Sequence, residues 1–217
     1  MESPLLAVLS ADDRREVLRL ARRRRFARGE VIFHEGDPGD TMHLVAQGHV
    51  AVRVTTPLGD VATLRVVCPG EFFGELAVIS PGPRSATVVA LDRVETLGIA
   101  KQQLDDLRAR RPAVDAVVTE ALVTEVRRLA AALTEALYLP SEKRLLRRLR
   151  DLTSAFGGET EPASVIPLTQ EELGQLAGVT RPTANRILKQ AEEDGVVRVS
   201  RGKVEVLDPE ALARQAH

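Results

Sequence analysis

Between Phe26 and Ile99 the chain is broken repeatedly by residues that make it turn: Gly29, Gly36-Asp37-Pro38-Gly39-Asp40, Gly48, Pro57-Leu58-Gly59-Asp60, Pro69-Gly70 and Pro81-Gly82-Pro83. Proline fixes φ and removes a backbone donor, and glycine admits positive φ, so no long helix can run through them. The stretches between read as strands: Val31-Ile32-Phe33, Met42-His43-Leu44-Val45, and Val50, Val52 and Val54 alternating with Ala51, Arg53 and Thr55. Short strands at this spacing predict an antiparallel roll of jelly-roll type that buries its inner face.

The flanking texture is helical. Ser10 is placed as an N-cap with Asp13 at N3, and Asp12 to Arg23 puts Val17, Leu18, Leu20 and Ala21 on one face of a short helix. Arg22 to Arg25 then reads as its solvated basic end. After Lys101 the pattern is helical again, and Pro112 suits the first position of a long helix. In that helix Leu122, Val126, Leu129, Leu133 and Leu137 recur at spacings close to a heptad seam. Such a stripe either packs on the roll of its own chain or, as we expect for a helix this long, on a second copy. Leu139-Pro140-Ser141 interrupts it, which places a hinge there and divides the chain into residues 1–138 and 139–217. Glu142 to Leu152 resumes as a helix with Lys143, Arg144, Arg147, Arg148 and Arg150 expected to be exposed.

The C-terminal part has a second strong pattern. Thr169-Gln170-Glu171-Glu172 is a capping box, followed by Leu173, Leu176, Ala177, the turn residue Gly178, Val179 and a second N-cap, Thr180. Arg181-Pro182-Thr183-Ala184-Asn185-Arg186-Ile187-Leu188 opens the next helix with polar and basic side chains. Two short helices joined at a glycine make a helix-turn-helix whose second helix can enter a major groove. Ala184, Ile187 and Leu188 are needed inward, leaving Arg181 and Arg186 to reach bases and Lys189 a phosphate. Val196 to Val199, the turn with Arg201 and Lys203, and Val204 to Val206 predict a β-hairpin wing. The fold class is therefore α+β, with an antiparallel β-roll joined by a long helix to a winged helix-turn-helix.

Composition narrows the function. A net charge of -1 over 217 residues gives no global attraction to nucleic acid, so any such surface is local. The single cysteine, Cys68, excludes a disulfide framework, an iron–sulfur cluster or a multi-thiolate zinc site and is expected as a core filler. His34, His43 and His49 read as strand or surface histidines rather than haem ligands, and no metal-ligand spacing or Ser/His/Asp grouping points to an enzyme. Met1 to Ala7 lacks the pattern of a signal peptide, and no apolar run spans a bilayer, so a cytoplasmic protein with no membrane partner is expected.

The chemistry concentrates at Gly70-Glu71-Phe72-Phe73-Gly74-Glu75-Leu76 and Pro83-Arg84-Ser85-Ala86-Thr87. A turn that frees backbone N–H groups, a carboxylate that accepts hydroxyl hydrogens and a fork-shaped guanidinium together suit a small phosphorylated sugar. An arginine aimed into a roll needs a fixed carboxylate or a ligand anion. A structural Glu75–Arg84 pair is the alternative to a ligand.

In motif order and content the whole chain resembles the cyclic-AMP receptor protein / FNR superfamily of bacterial transcription regulators. The resemblance implies that Arg84 pairs with a cyclic phosphate, Ser85 adds a donor, Glu75 accepts the ribose 2′-hydroxyl, and Gly74 and Leu76 belong to the same cassette. It implies that Val52 and Leu64 line the purine pocket, and that Thr169, Gln170, Thr180, Arg181, Pro182, Thr183, Arg186, Lys189, Arg201 and Lys203 face DNA. Cyclic AMP is the implied effector, a palindromic operator and RNA polymerase the implied partners, and a homodimer the implied assembly.

Two departures stand out. Aligned through Leu139-Pro140-Ser141-Glu142, Leu129 and Ala130 occupy the positions where cyclic-AMP-responsive members offer hydroxyls to the adenine amino group. That leaves cyclic GMP, or no effector, open. Pro182 stands where members reading the best-known half-site carry a glutamate, so the operator is expected to differ at that base pair. A nucleotide-binding module acting on a protein partner would explain the roll but not the C-terminal unit.

Overall fold

The computed structural model describes residues 10–80, 82–111, 113–157 and 164–217, with the side chain of Asp13 outside the description. The expected roles of Asp13 and Pro112 lie outside it too. The elements run α1 (Ala11–Leu20), β1 (Arg22–Phe26), β2 (Val31–Phe33), β3 (Thr41–Gln47), β4 (Val50–Thr55), β5 (Val61–Val67), β6 (Phe72–Phe73), α2 (Leu76–Ile79), β7 (Thr87–Ala90) and β8 (Val94–Ala100). Then follow α3 (Lys101–Arg110), α4 (Ala113–Tyr138), α5 (Ser141–Phe156), β9 (Ser164–Ile166), α6 (Gln170–Ala177), α7 (Arg181–Glu193), β10 (Val197–Ser200), β11 (Lys203–Val206) and α8 (Pro209–Ala216). Two compact units result, one of residues 1–54 and 64–130, the other of residues 55–63 and 131–217.

In the first unit two four-stranded sheets, in the orders β1-β8-β3-β6 and β2-β7-β4-β5, form the roll. Alternation along the strands sends Phe26, Val45, Val50, Val67, Phe73, Val88, Ala90 and Val94 into one core. The outer face of the first sheet, with Met42, Leu44, Leu97 and Ile99, packs with Val17, Leu104, Leu107, Val114 and Val117 from the helices. Arg22 to Arg25 is a correction to the sequence reading. It is not a helix end but strand β1, paired antiparallel with β8 from Arg22↔Gly98 to Phe26↔Val94. Phe26 is buried, and Glu95 binds both Arg23 and Arg25, so long-range pairing overrides a local basic pattern. Cys68 is half-buried rather than a core residue, and burial pushes its thiol up to about 11.

In the second unit α5 buries Leu145, Leu146, Leu149 and Leu152. The basic residues beside them are not a free face, because their N–H groups serve the fold. Arg144 donates to Leu139 O, Ala177 O and Gly178 O, each at 3.0 Å. Lys143 and Arg147 donate to Gln215 O and Ala216 O at the end of α8. Arg147 and Arg148 both pair with Glu135, from the last turns of α4. A three-stranded sheet in the order β10-β11-β9 completes the unit. On α4 the expected seam is open: Val126, Leu129, Leu133 and Leu137 are exposed, and Leu122 is half-buried. No helix among the described residues is long and apolar enough to cross a membrane.

Candidate functional site

Strand β6 ends at Phe73, and the chain reverses at Gly74, with φ +75°, into the short helix α2 that Glu75 precedes. Arg84, on the loop leading to β7, reaches back under this turn and is 5% exposed. Its Nη1 donates to Gly74 O at 2.9 Å and its Nη2 to Thr41 O at 2.6 Å. Its Cζ lies 4.0 Å from the centre of the Phe33 ring. The Nε–H is buried with no partner. Glu75 and Arg84 form no ion pair among the described residues, so the structural pair is not made. Burial is the main influence on Arg84, lowering its pKa, with Asp40, Asp37 and Glu75 opposing it at longer range. The guanidinium is thus a desolvated cation held by neutral carbonyls and an aromatic face, which leaves it poised for an anion.

The backbone closes tightly on this side chain. A Cβ at position 74 would lie 2.7 Å from Arg84 Nη1 and 3.3 Å from Phe33, and the positive φ itself favours glycine. Glu75 is half-buried, and burial raises its carboxyl pKa, with Arg65 and Arg84 acting to lower it and Glu125 to raise it. Ser85 and Leu76 are exposed beside it. Of the positions expected near a base, Val52 is half-buried against the inner core, and Leu64 is exposed on β5. Leu129 and Ala130 are exposed on α4, and Arg128 draws α4 to the strand by donating from Nη1 to Leu64 O at 3.0 Å. Phe33, Arg65, Glu125 and Arg128 were not singled out from sequence. Phe33 reads as an ordinary strand residue; Glu125 and Arg128 are an i,i+3 pair on α4 that meets Arg65 and Leu64 of β5 only through chain reversals about sixty residues apart.

The second site is built on α6 and α7. Thr169 Oγ1 accepts from the Glu172 N–H at 3.1 Å while Glu172 Oε2 accepts from the Thr169 N–H at 2.8 Å, closing the capping box. Gly178 ends α6 in the left-handed region, φ +62°. Thr180 then caps α7, its hydroxyl 2.9 Å from that of Thr183, and Pro182 sits in the first turn, where its missing N–H costs nothing. Ala184, Ile187, Leu188 and Ala191 are buried, which turns Arg181, Arg186 and Lys189 outward. Gln170 accepts from Asn185 Nδ2 at 2.8 Å, fastening the start of α6 to α7. Arg201 and Lys203 are exposed at the β10–β11 turn, which pairs Val197↔Val206 through Ser200↔Lys203. Among the described residues none of Arg181, Arg186, Lys189, Arg201 and Lys203 is ion-paired, so their charge is available to phosphates and base edges.

Residues 23–111 match the family model of a cyclic nucleotide-binding domain, and residues 143–215 that of a Crp-like helix-turn-helix domain. The chain is 31% identical over 193 residues to the CRP-like cAMP-activated global transcriptional regulator of Mycobacterium tuberculosis, covering 88% of this chain and 86% of that protein. It is also 31% identical over 210 residues to the cyclic AMP receptor protein of Thermus thermophilus, covering 97% of this chain and 95% of that one. Among solved structures, the c-di-GMP responsive global regulator CLP of Xanthomonas campestris shares the fold with a TM-score of 0.76 at 23% identity, over 91% of this chain and 99% of that one.

Proposed function

The chain belongs to the cyclic-AMP receptor protein / FNR family of transcription regulators, binding DNA through its helix-turn-helix, and we propose from this that a cyclic nucleotide in the roll controls its operator affinity. The family is not enzymatic. In this reading Arg84 and Ser85 take the cyclic phosphate, Glu75 the ribose 2′-hydroxyl, and the turn at Gly74 brings backbone N–H groups to the ring. The observation that carries it is Arg84 itself: a buried guanidinium with an unpartnered Nε–H and no carboxylate paired to it among the described residues supports a ligand anion there. Cyclic AMP, named for the relatives, presents this phosphate and ribose, as does cyclic GMP.

The working assembly we propose is a homodimer on the exposed seam of α4, reading a palindromic operator with half-sites about one helical turn apart. Arg181 and Arg186 would contact guanines, and the bound dimer would engage RNA polymerase. Effector binding would favour one packing of α4 and, through the break at Pro140, one spacing of the two recognition helices. Coupling of about 1–3 kcal/mol is typical and would change DNA affinity about 5- to 150-fold. The test is fluorescence anisotropy on labelled duplex selected from random DNA, with and without cyclic AMP and cyclic GMP. Affinity that rises with a cyclic nucleotide and falls to the free value in Arg84→Leu is expected. DNA affinity indifferent to either nucleotide would overturn effector control, and selected sites without a palindrome would overturn the dimeric readout.

A further inference from the structure

A cluster of charges with a specific donor and acceptor order joins β5 to α4. Arg65 on β5 donates from Nη2 to Phe72 O at 2.8 Å and brings Nε within 3.7 Å of the Glu125 carboxylate. Arg128 grips both oxygens of Glu125, from Nη2 at 2.7 Å and Nε at 2.9 Å, and its Nη1 holds Leu64 O. Three of its five N–H groups are thereby used, leaving a second N–H on each of Nη1 and Nη2. The bond from Arg65 to Phe72 O brings the cluster to the strand that runs directly into Gly74 and Glu75, the proposed ribose position. In the cyclic-nucleotide reading, a nucleotide with its phosphate at Arg84 and its ribose at Glu75 would send its base toward these groups. The neighbouring side chains Leu129 and Ala130 offer no hydrogen-bonding atom.

Resting on the cyclic-nucleotide reading, we propose that Glu125 and Arg128, backed by Arg65, read the base and select guanine over adenine. Along its edge guanine presents N7 and O6 as acceptors followed by N1–H and N2–H as donors. A guanidinium fork beside a carboxylate presents two donors followed by two acceptors, the complement of that whole edge. Adenine presents acceptor, donor, acceptor at N7, N6 and N1. Its amino group therefore meets one arm of the fork, or its N1 lone pair meets the carboxylate, and a polar group is left unpaired. Arg128 keeps its grip on Glu125, and the planar guanidinium offers the base the one unused N–H on each of Nη1 and Nη2.

Isothermal titration of the full chain with cyclic GMP, cyclic AMP, cyclic IMP and cyclic di-GMP tests this. Cyclic GMP should bind about tenfold or more tightly than cyclic AMP. Cyclic IMP, which keeps O6 and N1–H but lacks the N2 amino group, should fall between them. Glu125→Gln, nearly isosteric and checked for folding by circular dichroism, should abolish the preference by weakening cyclic GMP. Cyclic di-GMP binding more tightly than cyclic GMP, with the same loss in Glu125→Gln, also supports the guanine reader and assigns its source to a dinucleotide. Cyclic AMP binding as tightly as cyclic GMP overturns guanine selection and leaves the cyclic-nucleotide reading standing. Absence of binding by all four overturns both.

Discussion

The guanidinium of Arg84 rests on the ring of Phe33, with Cζ 4.0 Å from the ring centre, and on no carboxylate among the described residues. An ion pair would have to be broken before an incoming anion could bind, whereas an aromatic face leaves the charge uncompensated and the donors oriented. Phe33→Leu should therefore weaken cyclic-nucleotide binding by about 0.5–2 kcal/mol without unfolding the roll, and Phe33→Tyr should restore it. Calorimetric titration of the two variants checks this. Equal affinity in Phe33→Leu and the parent would remove Phe33 from the site.

Position 74 couples the backbone to the Arg84 side chain. Ala there would adopt a left-handed conformation at a cost of about 1–2 kcal/mol and would push Arg84 Nη1 from a Cβ only 2.7 Å away. The tip of an arginine gives way readily, so the stability loss should stay near that strain while nucleotide affinity falls further. Thermal melting and titration on Gly74→Ala compare the two losses.

Buried His43, 3.1 Å from Thr96 Oγ1 and stacked on Phe73, has its pKa lowered from 6.5 to about 4, first by burial and then by Arg84 and Arg24. The folded state refuses a proton that the unfolded chain accepts. Stability is then full above pH 6.5 and declines as pH falls toward 4, by roughly 3 kcal/mol at most. Melting curves across this window should show a steeper loss in the parent than in His43→Phe; parallel losses would mean that His43 does not govern it.

On the DNA side Arg186 and Lys203 should differ in kind. Arg186→Ala is expected to cost about 1–3 kcal/mol on the preferred duplex and to relax preference at one base pair. Lys203→Ala should weaken all duplexes alike and reduce the salt slope by about one. Anisotropy titrations over a range of salt on matched and substituted duplexes separate the two.

Leu133 is exposed midway along the seam of α4. If this seam joins two copies, Leu133→Glu places two carboxylates in an apolar interface and should yield a monomer in sedimentation velocity. A monomeric parent at the same micromolar loading would remove the dimer.

The elements with strictly local signatures were readable in sequence. The capping box at Thr169, the Gly178 turn, the Thr180 cap and the inward Ala184, Ile187 and Leu188 each follow from a pattern within about four residues. The roll followed from its turns. Where partners come from far along the chain, the sequence misled or was silent. Arg22 to Arg25 became a strand because β8 and Glu95 lie opposite, and on α5 Lys143, Arg144 and Arg147 were taken up by carbonyls of α6 and α8. At the proposed nucleotide site the cassette reads as a motif. Phe33, Arg65 and Glu125 do not, since their significance arises only when β2, β5 and α4 converge on the loop.

Arg144 and Glu135 bear on how a signal could travel. Arg144 welds the start of α5 to the last carbonyls of α6 and to the Gly178 turn, and Glu135 clasps Arg147 and Arg148 from the end of α4. A twist applied to those last turns of α4 therefore has little slack to absorb it before it reaches the recognition helix. Under the proposed effector control the reading head would act as a key on a stiff shank, and stiffness, more than any displacement of its own parts, is what this half of the molecule would contribute.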